Sequence, residues 1–166
     1  MISSPRTLFQ STFPTHTAGQ PLSHIFSCSR ELPYSAEQMF DLVADIERYP
    51  EFLDNWKKTR IVSREGDTAL VEQEMSLAGL TLPLLTRAEF QRPHCLVIVA
   101  DKGPIVELKI RWAFEPDAAK GCQVRFDVSY GKAPLMLDFA LSLAFGQMGP
   151  RIVSAFEWRA RRLYGA

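Results

Sequence analysis

The chain has 166 residues, and its histidines and cysteines are the first candidates for nucleophile, base or metal ligand. Their spacing argues against all three uses. His94 and Cys95 are adjacent, and neighbours on an extended strand point to opposite faces, so they pair as nucleophile and base only across a bulge. His16 falls in the N-terminal segment, and His24 opens the first predicted strand. Cys28, Cys95 and Cys122 are odd in number and lack CxxC spacing, which argues against a zinc site and a secreted disulfide scaffold and suits a reducing compartment. A GxSxG elbow, an HExxH pair, a phosphate-cradling glycine loop and a dinucleotide fingerprint are all missing from the sequence. The expected catalytic and metal-ligating set is therefore empty. Strand alternation turns only Tyr130 and Gln73 inward as polar candidates, thin material for acid–base work.

A second group of residues suits binding. Tyr49, Phe52, Leu53 and Trp56 stand beside Lys57, Lys58 and Arg60, and apolar rings flanked by cations match a membrane headgroup region. The alternative packs Phe52 and Trp56 inward and leaves the cations as a solvated strand face. Bulk charge adds no pull toward nucleic acid. Lys+Arg 19 balances Asp+Glu 19, so a DNA binder or any other partner held by counterion release is disfavoured. Arg159, Arg161 and Arg162 close the last predicted helix, where cations suit its negative pole.

The elements that must position these residues follow from periodicity. With 46% hydrophobic and 23% charged residues the composition is that of a soluble globular domain, long enough to bury roughly 70% of its unfolded surface. Residues 1–22 are rich in Ser and Thr, lack acids and carry Arg6 alone, which reads as a disordered tail; a mitochondrial transit peptide would want several arginines. Residues 23–166 form the expected domain, and no stretch reaches the length of about 18 apolar residues that spans a bilayer.

A first strand is predicted over Ser23–Leu32. Ser35 then N-caps a helix in a capping box with Gln38, stapled by Tyr34 and Met39 and ending near Asp45. Pro50 predicts the first turn of a second short helix, with Glu51 near its positive end. The period then becomes two, giving strands at Lys57–Arg64, Thr68–Leu77, Leu80–Phe90, His94–Asp101, Ile105–Glu115 and Cys122–Tyr130, joined by short turns as an antiparallel meander. Val106, Leu108, Ile110, Trp112 and Phe114 share one face, and Cys122, Val124, Phe126, Val128 and Tyr130 repeat the pattern. The segment Leu135 to Tyr164 must cover that face. Its second half sets Met148, Ile152, Ala155, Phe156, Ala160 and Leu163 on one stripe, while Leu137, Phe139, Leu141, Leu143 and Phe145 surround its first half. Pro150, with Gly146 and Gly149, predicts a kink.

Three separated motifs carry a resemblance. Val43-Ala44-Asp45-Ile46-Glu47-Arg48-Tyr49-Pro50-Glu51-Phe52, Gly103-Pro104 ahead of Trp112-Ala113-Phe114, and the ending Ala155-Phe156-Glu157-Trp158-Arg159-Ala160-Arg161-Arg162-Leu163-Tyr164-Gly165 resemble the coenzyme Q-binding START-like family over residues 24–165. That family lies within the polyketide cyclase, dehydrase and lipid-transport superfamily and includes ribosome association toxins. The resemblance implies an α+β helix-grip fold: a curved antiparallel seven-stranded sheet around a long C-terminal helix, with two short helices after strand one. Ile105 replaces the aromatic that commonly follows the Gly-Pro turn, and Leu53-Asp54-Asn55-Trp56 lacks the usual proline.

The resemblance also implies a ligand, ubiquinone or another polyprenyl lipid, with no cofactor beyond it and no catalysis. Val106, Leu108, Ile110, Trp112, Phe126 and Val128 of the sheet, closed by Phe145, Met148, Ile152 and Phe156 of the helix, are the expected tail-binding residues. The same side chains serve equally as a dry core, which every domain of this size needs. Tyr49, Phe52, Leu53, Trp56, Lys57 and Lys58 are the expected membrane-facing entrance. Two other functions stay open: binding the large ribosomal subunit, and cyclising or dehydrating an aromatic polyketide. The expected location is cytoplasmic, peripheral at the inner membrane, or on the matrix side in a eukaryote.

Overall fold

The computed structural model describes residues 24–165 apart from 78, 106 and 132, so the N-terminal segment expected as a tail lies outside the described residues. β1 (His24–Leu32) leads to α1 (Ala36–Ala44), a 3-10 helix (Ile46–Glu51), β2 (Trp56–Glu65), β3 (Thr68–Leu77), β4 (Leu80–Gln91), β5 (Cys95–Lys102), β6 (Lys109–Pro116), β7 (Cys122–Tyr130) and α2 (Leu135–Tyr164). One antiparallel sheet contains all seven strands in the order β1-β7-β6-β5-β4-β3-β2. The predicted meander holds from β2 to β7. β1 joins the far edge beside β7, with Phe26 opposite Val128 and Leu32 opposite Cys122.

Local chemistry explains the short helices. Ser35 accepts a hydrogen bond from the Gln38 N–H, and the Gln38 side chain accepts one from the Ser35 N–H, so two otherwise orphaned donors at the start of α1 are satisfied. Tyr34 and Met39, the expected staple, are both buried. The second helix begins earlier than predicted. It is a 3-10 turn from Ile46, so Pro50 sits near its end and Glu47 occupies its first turn. Glu47 instead accepts the Ile61 N–H at 2.9 Å, and Thr59 donates to the Ile46 carbonyl at 2.9 Å, which docks the helix on β2.

β6 also departs from expectation, starting at Lys109 rather than Ile105. Glu107 has φ +54°, a left-handed conformation that breaks an extended run, although Ile105 and Leu108 on either side of the turn remain buried. β7 alternates as the sequence predicts, with Val124, Phe126 and Val128 inside, while β6 buries Trp112, Ala113 and Phe114 in a row.

α2 lies across that apolar face, burying Leu141, Phe145, Met148, Gly149, Ile152, Val153, Phe156 and Ala160. Leu163, predicted on the inner stripe, is exposed; Tyr34 donates to the Gly165 carbonyl and Tyr164 to the Gln38 carbonyl, so this end of α2 rests on α1. The helix runs continuously through Pro150, where the sequence suggests a kink. Only the bond from residue 150 to the Gly146 carbonyl is forfeited, on the exposed side. Gly149 matters more, because a side chain there would collide with the ring of Phe26. The missing Cβ lets α2 approach β1, and an ion pair between Arg30 and Glu157 at 2.7 Å fixes the same crossing.

These two glycines make opposite predictions in urea unfolding. Gly149→Ala should destabilise by about 1–3 kcal/mol through overpacking against Phe26. Gly146→Ala meets nothing within 4 Å and should stabilise by up to about 1 kcal/mol through helix propensity. Equal effects would contradict the close approach.

Candidate functional site

Between sheet and helix lies an enclosed apolar cavity. Met75 of β3, Leu84 of β4, Ile98 of β5, Leu108 just ahead of β6, Ile110 and Trp112 of β6, and Phe126 of β7 form its floor; Phe145, Ile152 and Phe156 of α2 form its roof; Tyr49, Leu53 and Trp56 close one side. An aromatic cluster stiffens the wall, with ring centroids of Trp112 and Phe126 4.5 Å apart, Trp112 and Phe156 4.9 Å, and Tyr49 and Phe156 5.4 Å. The cavity volume is about 20 Å³. That holds roughly one water, so the site is shut.

Of the expected tail-binding residues, Leu108, Ile110, Trp112, Phe126, Phe145, Ile152 and Phe156 converge on this cavity. Val128 is buried but does not line it, Met148 faces an outer groove instead, and Val106 lies outside the described residues. Sequence reasoning overlooked Met75, Leu84, Thr86 and Ile98 as wall residues. Their strands alternate as well, and that alternation was the available signal.

The expected entrance residues are divided between core and surface. Tyr49, Leu53 and Trp56 are buried and Phe52 is half-buried, because the 3-10 helix folds these rings under α2; Lys57 and Lys58 are exposed, and Lys57 donates to the Asp54 carbonyl. The exposed apolar side chains are on the first half of α2: Leu135 and Met136 at 87%, Phe139 at 71% and Leu143 at 55% of their full exposure. Phe139 and Leu143 form one bank of an open groove of about 430 Å³; Phe52, Leu53, Asn55 and Trp56 form the other, and Gln147, Met148 and Arg151 line it too. Leu53, Trp56 and Ile152 touch both spaces and so partition the groove from the cavity.

Two tethers hold this partition. Arg159 pairs with Glu51 at 2.7 Å and lies 5.3 Å above the Phe52 ring, and Asn55 donates to the Met148 sulfur at 3.0 Å. The arginines expected to interact with the helix pole thus have specific partners, as do Arg161, paired with Glu157, and Arg162, stacked 4.9 Å over Trp158.

Polar chemistry inside the cavity is confined to one chain of hydrogen bonds and one phenol. Trp56 Nε1 donates to Gln73 Oε1 at 2.8 Å, Gln73 Nε2 donates to Thr86 Oγ1 at 2.8 Å, and Thr86 Oγ1 lies 3.3 Å from the Val71 carbonyl. Tyr49 donates to the Val43 carbonyl at 2.6 Å, and its burial pushes the phenol far above the ordinary tyrosine range. Tyr130, the other inward candidate, packs 5.4 Å from Phe145 and is pushed up to about 12, chiefly by burial and then by Asp138. These groups hold their protons at neutral pH. Among the described residues no cluster of His, Cys, Asp or Glu is arranged to hold a metal ion.

A sequence profile described as polyketide cyclase / dehydrase and lipid transport matches residues 32–157. Ribosome association toxin RatA of Pseudomonas aeruginosa is 30% identical over 134 residues, covering 81% of this chain and 93% of that protein. Coenzyme Q-binding protein COQ10 homolog B of Xenopus laevis is 26% identical, covering 84% of this chain and 59% of that one. Among solved structures, the Zhui aromatase/cyclase from Streptomyces sp. R1128 superposes with a TM-score of 0.76 at 13% identity, covering 84% of this chain and 94% of that chain, a likeness of fold.

His94 is an exposed turn residue just ahead of β5, and Cys95, the first residue of that strand, is buried. Burial raises the Cys95 thiol, and burial with Asp117 and Glu37 pushes Cys122 up to about 11. The thiolate is the reactive form, so at pH 8 both should resist a water-soluble thiol reagent until urea unfolds the chain, whereas half-buried Cys28 reacts first. Native labelling of Cys122 as fast as Cys28 would contradict this burial.

Proposed function

The chain belongs to the polyketide cyclase / dehydrase and lipid transport family, and from that premise we propose that it binds a polyprenyl quinone, ubiquinone or a close relative, between sheet and α2 without converting it. One observation carries this reading. A closed apolar cavity is separated from an open, apolar-banked groove by only three side chains, Leu53, Trp56 and Ile152. Ligand sites of this kind span about 300–1,000 Å³, so binding requires the first half of α2 to swing out and merge the two spaces. That half is the part suited to move. Its outer side chains are exposed, while the second half is tied down through Arg30–Glu157 and Arg159–Glu51.

The energetics agree with a greasy ligand. Each buried methylene contributes about 0.8 kcal/mol, so part of an isoprenoid tail supplies micromolar affinity without a charged contact. Conversion is disfavoured by the lining itself. Gln73, Thr86, Trp56 and Tyr49 hold no group that exchanges a proton near neutrality, whereas a cyclase or dehydratase needs one. Leu135, Met136, Phe139 and Leu143 replace the rings near Tyr49 as the surface for transient contact with a bilayer. No helix among the described residues is long and apolar enough to cross one. The quinone would be delivered to respiratory electron transport or to its own biosynthesis.

The similarity to RatA proteins favours a second reading, association with the large ribosomal subunit. Surface charge weighs against a broad RNA contact, because Arg48, Arg60, Arg87, Arg92 and Arg125 all sit in ion pairs with acids. Sedimentation with ribosomal subunits separates the two.

Protein purified without detergent from a quinone-producing host should release ubiquinone on solvent extraction, detected by mass spectrometry. Leu108→Lys, which sets a charge in the cavity floor, should remove it. An empty extract that stays empty after incubation with quinone-loaded liposomes, together with co-sedimentation on the large subunit, would overturn the quinone reading in favour of the ribosomal one.

A further inference from the structure

The cavity is not uniformly apolar, and its polarity has a direction. Among the described residues Gln73 and Thr86 are buried in the core at 8% and 1% exposure, and both face the cavity beside Trp56. An indole N–H can only donate, so the Gln73 carbonyl oxygen must face Trp56 and its amide nitrogen must face Thr86. Thr86 then turns its own proton toward the Val71 carbonyl. The carboxamide orientation is thereby fixed. One of the two Gln73 amide hydrogens is spent on Thr86, and the other has no partner among the described residues. The amide nitrogen is already bonded to Thr86, so this second hydrogen is a donor that a ligand in the cavity can take up without breaking the existing chain.

We propose that Gln73 is the head-group receptor of this cavity, donating its free amide hydrogen to a carbonyl oxygen of an uncharged amphiphile whose hydrocarbon runs toward Phe126 and Phe145. This rests on the reading that the cavity binds a lipid and narrows the class it accepts. Among the described residues no charged side chain lines the cavity, so an anionic head such as a carboxylate or phosphate would enter a low-dielectric space without a counter-ion. A neutral carbonyl keeps its hydrogen bond and sheds little hydration. The alkane end meets rings and branched side chains only. A quinone satisfies both ends; a fatty acid anion satisfies one.

The test uses the whole chain and three tail-matched probes, decylubiquinone, decylbenzene and decanoate at pH 8, titrated by calorimetry. Decylubiquinone should bind and decanoate should not. In Gln73→Leu the preference for decylubiquinone over decylbenzene should fall about tenfold, the size of one hydrogen bond made in a buried site. The infrared carbonyl band of bound decylubiquinone should lie below its position in hexane for the wild type and return toward it in the variant. A Gln73→Leu protein that keeps the preference and the band shift overturns the assignment. Should the variant fail to fold, the wild-type spectrum decides alone, since an unshifted carbonyl excludes the bond. Binding of decylubiquinone and decylbenzene with an unshifted carbonyl ends this inference while leaving the lipid-binding reading intact; failure to bind either ends both.

Discussion

Phe156 of α2 sits where helix, sheet and the 3-10 segment meet. Its ring packs edge-on to Trp112 of the sheet and to Tyr49 and Phe52 of the 3-10 segment, with centroids 4.9, 5.4 and 5.0 Å away. Full burial of such a side chain stabilises by about 1.5–3 kcal/mol, and favourable ring pairs add about 0.5–1.5 kcal/mol each. Sheet, helix and connecting segment therefore share one apolar contact. The fold's other features either bring α2 to this contact or dispose of what the contact leaves uncovered.

Bringing α2 there depends on the crossing with β1. Gly149 removes a Cβ where the Phe26 ring must sit, and Arg30, reaching Ser154 and Glu157, holds the adjacent turn. Beyond this crossing toward its N-terminus, α2 has more apolar surface than the sheet can cover. Leu141 and Phe145 go inward, while Leu135, Met136, Phe139 and Leu143 go to solvent. One helix thus has an anchored half and a half whose exposed face is available to a ligand or bilayer. Exposed apolar residues gathered on one stretch of a globular fold are the usual mark of a surface that is covered in use.

The cavity's chain of polar side chains lies where β2, β3 and β4 run side by side. Trp56, Gln73 and Thr86 come from three consecutive strands and satisfy one another in sequence, so burying them is tolerable without any ionised group. The surface balances charge differently, through ion pairs that include Arg92–Asp41 at 2.7 Å, which holds the Asp41 carboxyl below the ordinary range. A neutral interior and a self-neutralised exterior agree with a formal net charge of zero.

Much of this architecture is legible in the amino-acid sequence. The capping box at Ser35, the strand order from β2 to β7, the inward stripe of Trp112 and Phe126 and the extent of α2 all follow from short-range periodicity and turn chemistry, which act within a few residues. What sequence could not supply was the third dimension of the middle segment. Tyr49, Leu53 and Trp56 beside Lys57 and Lys58 look alike whether the rings face lipid or core; only the docking of the 3-10 helix beneath α2 turned them inward. Likewise Glu107 in the left-handed region shortened β6 without a glycine to announce it. Whether Leu108, Ile110 and Phe145 make a core or a cavity depends on a helix–sheet separation set by Gly149 against Phe26, residues 123 positions apart in the chain and joined only by tertiary packing. Local periodicity in the sequence marked most of the side chains of β7 and α2 that leave water, with Leu163 an exception that ends exposed. The tertiary structure alone decided how tightly they close around the remaining space, because that depends on contacts between distant elements.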